Sequence, residues 1–319
     1  MQQPVSVWRS AGAIAGLTAR EMLREPVCLM LILSALLAGL MLPMLTAHQM
    51  GGQARLAREG ALAFHLLFGL LLAAYGAQVT LGRALVSGAA SLVVGRALGR
   101  IGYLAATALG ILGVLLLFSV SAIATATLTG EAAPQDFAYN RLAVGLAVGA
   151  PLAALAGAML GSRLGRRNFV ADATLGLAVS LPAAALLATS LSDSGEWIGL
   201  AATCPASALA GGLLVTLAFL PAVFMALALA TRLATPALIA CTLAVLAGGL
   251  VVRPVTAVAP PALAALLRAA LPDWQIFWSA GELSAGDTLA ALPAAATYAV
   301  MLALAWGVTG ILLFRSKTL

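Results

Sequence analysis

A chain of 319 residues that is 62% hydrophobic, 9% charged and of mean hydropathy +1.06 has too little polar surface to coat a soluble domain of that length. Its formal net charge of +6 rests almost wholly on arginine, because Lys317 is the only lysine. That excludes a phosphate loop of the G-x-x-x-x-G-K-[ST] type, so any ATP that drives the protein is bound by another chain.

The chain opens with a charged stretch, residues 1–26, too long and too polar for a secretory leader. At about 100° per residue, Val7, Trp8, Ala11, Ile14, Ala15 and Met22 share one helix face and Arg9, Arg20 and Arg24 lie opposite. This pattern predicts an amphipathic helix in the headgroup plane, with Trp8 as an interfacial anchor; a solvated helix is the alternative.

Eight apolar runs follow within residues 27–319, at 27–47, 61–82, 103–128, 142–162, 170–191, 208–231, 235–252 and 289–314. Each approaches the roughly 20 helical residues that cross a bilayer core. The alternating short segments of a membrane barrel do not occur, so an all-α polytopic membrane protein is expected. Eight spans with both termini cytoplasmic put most arginines inside, among them Arg83, Arg96, Arg100, Arg163, Arg166 and Arg167, and most carboxylates outside. Dropping two neighbouring spans keeps that parity, so six is the alternative count.

The second span carries His65, Tyr75 and Gln78, with His65 placed near its outer edge as an interfacial histidine. In the third, Gly102, Ala106 and Gly110 form a short ridge of small residues, and in the fourth Gly145, Gly149, Ala153, Gly157 and Gly161 recur at every fourth position. Such a ridge lets two helix backbones approach closely, within the subunit or across a dimer. Asp172 opens the fifth span behind Arg166 and Arg167, where a carboxylate suits a helix start. No Asp, Glu, Lys or Arg falls near the middle of any span, which weighs against an ion-coupled carrier.

Between the last two spans, residues 253–288 include LPDWQIFWSAGELSAGDTL, Leu271 to Leu289, dense in aromatic and acidic residues. Trp274, Phe277 and Trp278 read as anchors at outer headgroup depth and the acids as part of the outer acidic excess. Catalytic patterns are missing. There is no H-E-x-x-H and no G-x-S-x-G, and Cys28, Cys204 and Cys241 have neither disulfide nor metal-site spacing. No catalytic residue, no metal site and no bound cofactor are expected, and no nucleic-acid partner.

The segment LGRALVSGAASLVVGRALGRIGYLAATALG, Leu81 to Gly110, resembles the loop between the second and third spans of ABC-2 type permeases. The likeness runs through Arg83, Leu85, Gly88, Leu92, Arg96, Arg100, Tyr103 and Gly110; the acidic residues frequent before Gly88 in that family are missing here, Ala97 stands where proline is frequent, and Ala106-Thr107 replaces Gly-Lys. The N-terminal helix with the first span, and the block from Leu271 with its basic tail, are similar to the two ends of the same family. Together these touch about a third of the chain. The resemblance implies an ABC-2, type V exporter-like architecture in a bacterial inner membrane, with residues 1–26 as connecting helix and 253–288 as an external re-entrant segment. It also implies a dimer with a second permease copy or paralogue, and P-loop ABC ATPase subunits that carry ATP and Mg. Coupling to them would run through residues 83–101, with Arg83, Gly88, Arg96 and Arg100 as the docking positions. From the residues themselves, an arginine-bearing segment without acids suits either an acidic protein groove or anionic lipid. The competing functions are an ATP-independent carrier or channel and a structural membrane anchor.

Overall fold

The computed structural model describes residues 7–47, 51–90, 99–134, 138–192, 194–278 and 285–315. Its helices are α1 (Val7–Arg24), α2 (Pro26–Thr46), α3 (Gln53–Ala77), α4 (Arg83–Val86), α5 (Arg100–Ala132), α6 (Arg141–Gly165), α7 (Phe169–Ala188), α8 (Ala206–Ala230), α9 (Thr235–Val258), α10 (Pro261–Ala270) and α11 (Ala285–Arg315). A π-turn, Gln78–Gly82, fuses α3 to α4, and a 3-10 turn, Trp274–Phe277, lies between α10 and α11. Among the described residues eight helices are long and apolar enough to cross a membrane, one for each apolar run of the sequence. The protein is therefore a multi-pass helical membrane protein.

Helix is the only local solution for these runs, because hydrocarbon offers no partner to a backbone N–H or C=O. The prolines inside six of the helices, Pro43, Pro151, Pro182, Pro221, Pro254 and Pro293, remove an N–H without ending the span. Helix boundaries follow local chemistry. Glu25 precedes a proline and is extended (ψ 120°), which separates α1 from α2. Asn140 and Asn168 cap α6 and α7 by accepting from Ala143 N and Ala171 N at 2.9 and 3.1 Å.

The centre of the bundle is α3, α5 and α8, whose apolar windows are 61%, 61% and 67% buried, against 22–39% for the other five spans. Close approach there depends on glycine. A Cβ on Gly69 of α3 would enter the Phe219 ring of α8, and one on Gly212 of α8 would collide with Ile123 of α5. Helices α6 and α7 form a peripheral hairpin that meets across Ala154 and Gly176, and α11 lies along α8 through Gly310 and Ala228.

Among the described residues the small-residue ridge of α6 meets no neighbouring helix from Gly145 to Gly157, which speaks against the reading that it packs within the subunit. Among the described residues nothing lies within 4 Å of a Cβ built on Gly145, Gly149 or Gly157, and Ala153 is exposed; Gly161 alone of the ridge glycines meets a neighbour there, the Asp172 carboxylate at 3.2 Å. The buried face of α6 is instead its alanines, Ala143, Ala147, Ala150, Ala154 and Ala158. Small side chains occur on both faces of this helix, so their spacing alone does not say which face is covered. Accordingly, Gly149→Leu is expected to leave the thermal unfolding of the monomeric chain within about 0.5 kcal/mol of wild type. Gly69→Leu should lower it by several times that, since overpacking an interior costs about 1–3 kcal/mol or more.

Candidate functional site

Three pieces of chain converge at one end of the bundle: α1, the residues on either side of the 91–98 stretch, and the C-terminal end of α11. The site is built from α1 outward. Its amphipathic pattern exists, and the C-terminal part of its apolar face is covered by protein, whereas Trp8 at the other end of that face is exposed. Met22 and Thr18 are buried, Met22 lies under Gly76 of α3, and the Ala15 carbonyl passes over Gly110 of α5. A Cβ on Gly110 would sit 2.5 Å from that carbonyl and 2.6 Å from Thr18 Cβ. The Gly102, Ala106, Gly110 ridge therefore does have an occupant at Gly110, and it is α1. Trp8, 87% exposed, is left outside the contact and free for lipid.

At the elbow between α1 and α2, Glu25 takes the Arg83 guanidinium in an ion pair, and Tyr75 Oη donates to its other oxygen at 3.4 Å. The π-turn sits directly before Arg83 in the chain. The extra residue in each of its hydrogen-bonded loops rotates the outgoing helix relative to α3. Glu21, one turn earlier on α1, has its carboxyl pushed up from the usual range by burial, an effect the Arg83 charge opposes. Arg83 is thus not the unpaired docking cation that its own segment, poor in acids, predicts. Its acid comes from a distant part of the chain.

Gly88 is in a left-handed conformation (φ +74°), as a bend beyond α4 requires. Arg96 lies outside the described residues. Arg100, in the first turn of α5, reaches across to α11, where Nη1 donates to the Arg315 carbonyl at 3.1 Å and the guanidinium lies 5.9 Å from the centroid of the Phe314 ring. Phe314 in turn stacks on Tyr103, at 6.5 Å between centroids. Arg100 therefore satisfies a terminal carbonyl of α11, one of those a helix end leaves open. Arg232, preceding α9, does the same for the Leu313 carbonyl at 3.2 Å.

The consequence is mechanical. The segment beginning at Arg83 and ending at Arg100 is tied at its first end to the α1–α2 elbow and at its second to the tip of α11. Both ties are charge-assisted and half exposed, which makes them weak individually and able to re-form after movement. A displacement of the segment would be felt by three elements that are far apart in sequence.

At the opposite end of the bundle the aromatic block departs from its expected role. Trp274 and Phe277 are fully buried rather than turned toward lipid, and Trp278 is half-buried. After α9 the chain turns through α10 and runs back along α9. Trp274 Nε1 donates to the Val245 carbonyl at 3.1 Å, Gln275 Nε2 to the Leu250 carbonyl at 2.5 Å, and Asp273 pairs with Arg253 at 2.6 Å. Tyr298 of α11 closes the cluster, its oxygen accepting from Asp273 N at 2.9 Å. Bulky side chains that do face outward near this end include Trp197, Ile198 and Leu200 in the connection between α7 and α8, where a Leu191–Trp197 bridge closes a turn. Gly195 and Gly199, both of positive φ, were the local signal for that turn.

His65 also differs from its expected setting. Helix α3 begins at Gln53, well before the apolar run, so His65 falls within the helix rather than near its edge. It is 1% exposed between the Phe118 and Phe219 rings, at centroid distances of 5.3 and 5.1 Å. His65 Nε2 and Ser119 Oγ share a hydrogen bond at 3.0 Å, Ser119 Oγ also lies 2.9 Å from the Leu115 carbonyl, and among the described residues Nδ1 has no partner. Among the described residues no three His, Cys, Asp or Glu side chains gather in a way that would hold a metal ion.

No family model matches this chain, and neither a curated protein nor a solved structure does.

Proposed function

We propose that the chain is the membrane-spanning subunit of an ATP-driven ABC-2 type exporter of a bacterial inner membrane, with cytoplasmic termini and no ATPase activity of its own. It would work as a dimer with a second permease copy or paralogue, on separate P-loop subunits that bind ATP and Mg. The observation that supports this reading best is the bracing of residues 83–101 at both ends, through Glu25 and Arg83 and through Arg100 and the tip of α11. A partner that pushes on this segment moves the elbow of α1 and the end of α11 together, as a coupling element requires.

The bracing also refines which cations would dock. Arg83 is engaged by Glu25, whereas Arg100 spends only one N–H and one face on α11 and keeps further N–H groups for a partner. Arg96, outside the described residues, is carried as a docking position by the family resemblance alone. The test is purification from the native membrane in mild detergent. A P-loop ATPase should co-purify in stoichiometric amount, and Arg96→Glu should release it, with Arg96→Glu and Arg100→Glu together doing so more completely. Purification without an ATPase under several conditions would leave a structural anchor or an ATP-independent pathway, and would sink the proposal.

A further inference from the structure

A groove of about 840 Å³ runs between α2 and α6, away from the end that carries Arg83 and Arg100. Its walls are exposed apolar side chains, Leu37, Met41 and Met44 from α2 and Val148 and Leu152 from α6. Its mouth is different in kind, being formed by Tyr139 and Arg141 at the start of α6.

Length decides what fits. From Arg141 to Leu155 the groove follows α6 for about 21 Å at roughly 1.5 Å per residue. One leaflet contributes about half of a hydrocarbon core of roughly 30 Å, so the groove spans one leaflet with its headgroup margin. It ends at Leu33 and Leu155, whereas a spanning helix from a second copy would need a seat across the whole bilayer.

Charge decides which occupant. Arg141 is exposed and makes no ion pair or hydrogen bond through its side chain among the described residues. It stands in the first turn of a 25-residue helix, where the backbone dipole favours an anion and opposes a cation. An anionic group at the mouth is attracted by the guanidinium and by the helix end together, and its presence removes the unfavourable placement of Arg141.

From this geometry we infer that the α2–α6 groove is a binding site for an anionic phospholipid. Its phosphate lies at Arg141 and Tyr139, and an acyl chain lies along Met41, Val148 and Leu152. This site is independent of the transport reading, since nothing in it touches the 83–101 segment.

The test is native mass spectrometry of the full-length chain in detergent, titrated with phosphatidylglycerol or with phosphatidylethanolamine of the same acyl chains. Wild type should retain one phosphatidylglycerol in preference to phosphatidylethanolamine. Arg141→Gln should reduce phosphatidylglycerol retention by about fivefold, the effect of one basic residue at an anionic headgroup, and Arg141→Lys should keep most of it. Val148→Trp, which fills the groove from an exposed position, should reduce retention of both lipids. Equal retention of the two lipids by wild type, or phosphatidylglycerol retention unchanged in Arg141→Gln or in Val148→Trp, would overturn the site. So would efficient disulfide formation between copies through Leu152→Cys in vesicles, because a second copy would then cover the groove.

Discussion

Trp274→Ala should destabilise the folded chain by about 3–5 kcal/mol, among the largest effects of any aromatic truncation in it. The indole is 1% exposed and its N–H is spent on the Val245 carbonyl, so truncation opens a cavity and leaves an acceptor short of a donor. Association of helices in lipid depends on such packing, because lipid tails compete for apolar surface on equal terms. Gly249→Val should do comparable damage from the other side, since any Cβ on Gly249 enters the Pro272 carbonyl and the Trp274 ring. Trp197→Ala, at a site 62% exposed, supplies the contrast and should cost less than about 1 kcal/mol. Thermal unfolding of the four proteins in one detergent would decide it. If Trp274→Ala and Trp197→Ala were equally mild, the returning segment after α9 would not be part of the core.

Gly110→Leu is expected to unseat α1 while leaving the spans folded. The new side chain would occupy the space of the Ala15 carbonyl and the Thr18 side chain, which backbone adjustment on one side alone cannot clear. Because α1 is held mainly by α5, its detachment should also release the elbow and weaken the Glu25–Arg83 pair. A cysteine introduced at Thr18, 5% exposed in the folded chain, reports the change in a background without the native cysteines. Its labelling by a membrane-impermeant maleimide should rise by at least about tenfold in Gly110→Leu, the sign of local opening made easier by more than about 1.4 kcal/mol. Unchanged labelling would mean that α1 is retained by contacts other than Gly110. Under the transport proposal the same variant should uncouple ATP hydrolysis from substrate movement.

The spans were legible because their signal is a property of composition. Any run of about 20 apolar residues in a chain this poor in charge has to be helical and has to cross, whatever its neighbours are. Their ends were less legible. Helix α3 starts at Gln53 because its first turns carry Arg55, Arg58 and Glu59, polar residues that lower hydropathy without opposing helix, and this displaced His65 from its apparent edge. The burial of Trp274 and Phe277 was not legible for a related reason. Tryptophan is enriched both at membrane interfaces and in buried clusters, and its position in the chain does not separate the two.

The candidate site divides along the same line. Arg83, Gly88 and Arg100 stood out as a charged and glycine-punctuated interruption between two spans, a pattern visible within thirty residues. Their partners did not, because Glu25 lies 58 residues from Arg83 and Arg315 lies 215 residues from Arg100. Sequence alone thus determined the class of protein, a choice between eight and six spans, and the segment most worth testing, since these follow from the balance of hydrocarbon and charge along the chain. The eight long apolar helices among the described residues favour the larger count. Tertiary structure alone decided which faces are covered: the Ala15 to Met22 part of α1 by α5 and α3, the Trp274 ring by α9, and the glycine ridge of α6, from Gly145 to Gly157, by no described residue. Alanine, leucine and glycine are equally content against lipid and against another helix, so shape fit and a few distant hydrogen bonds make that choice.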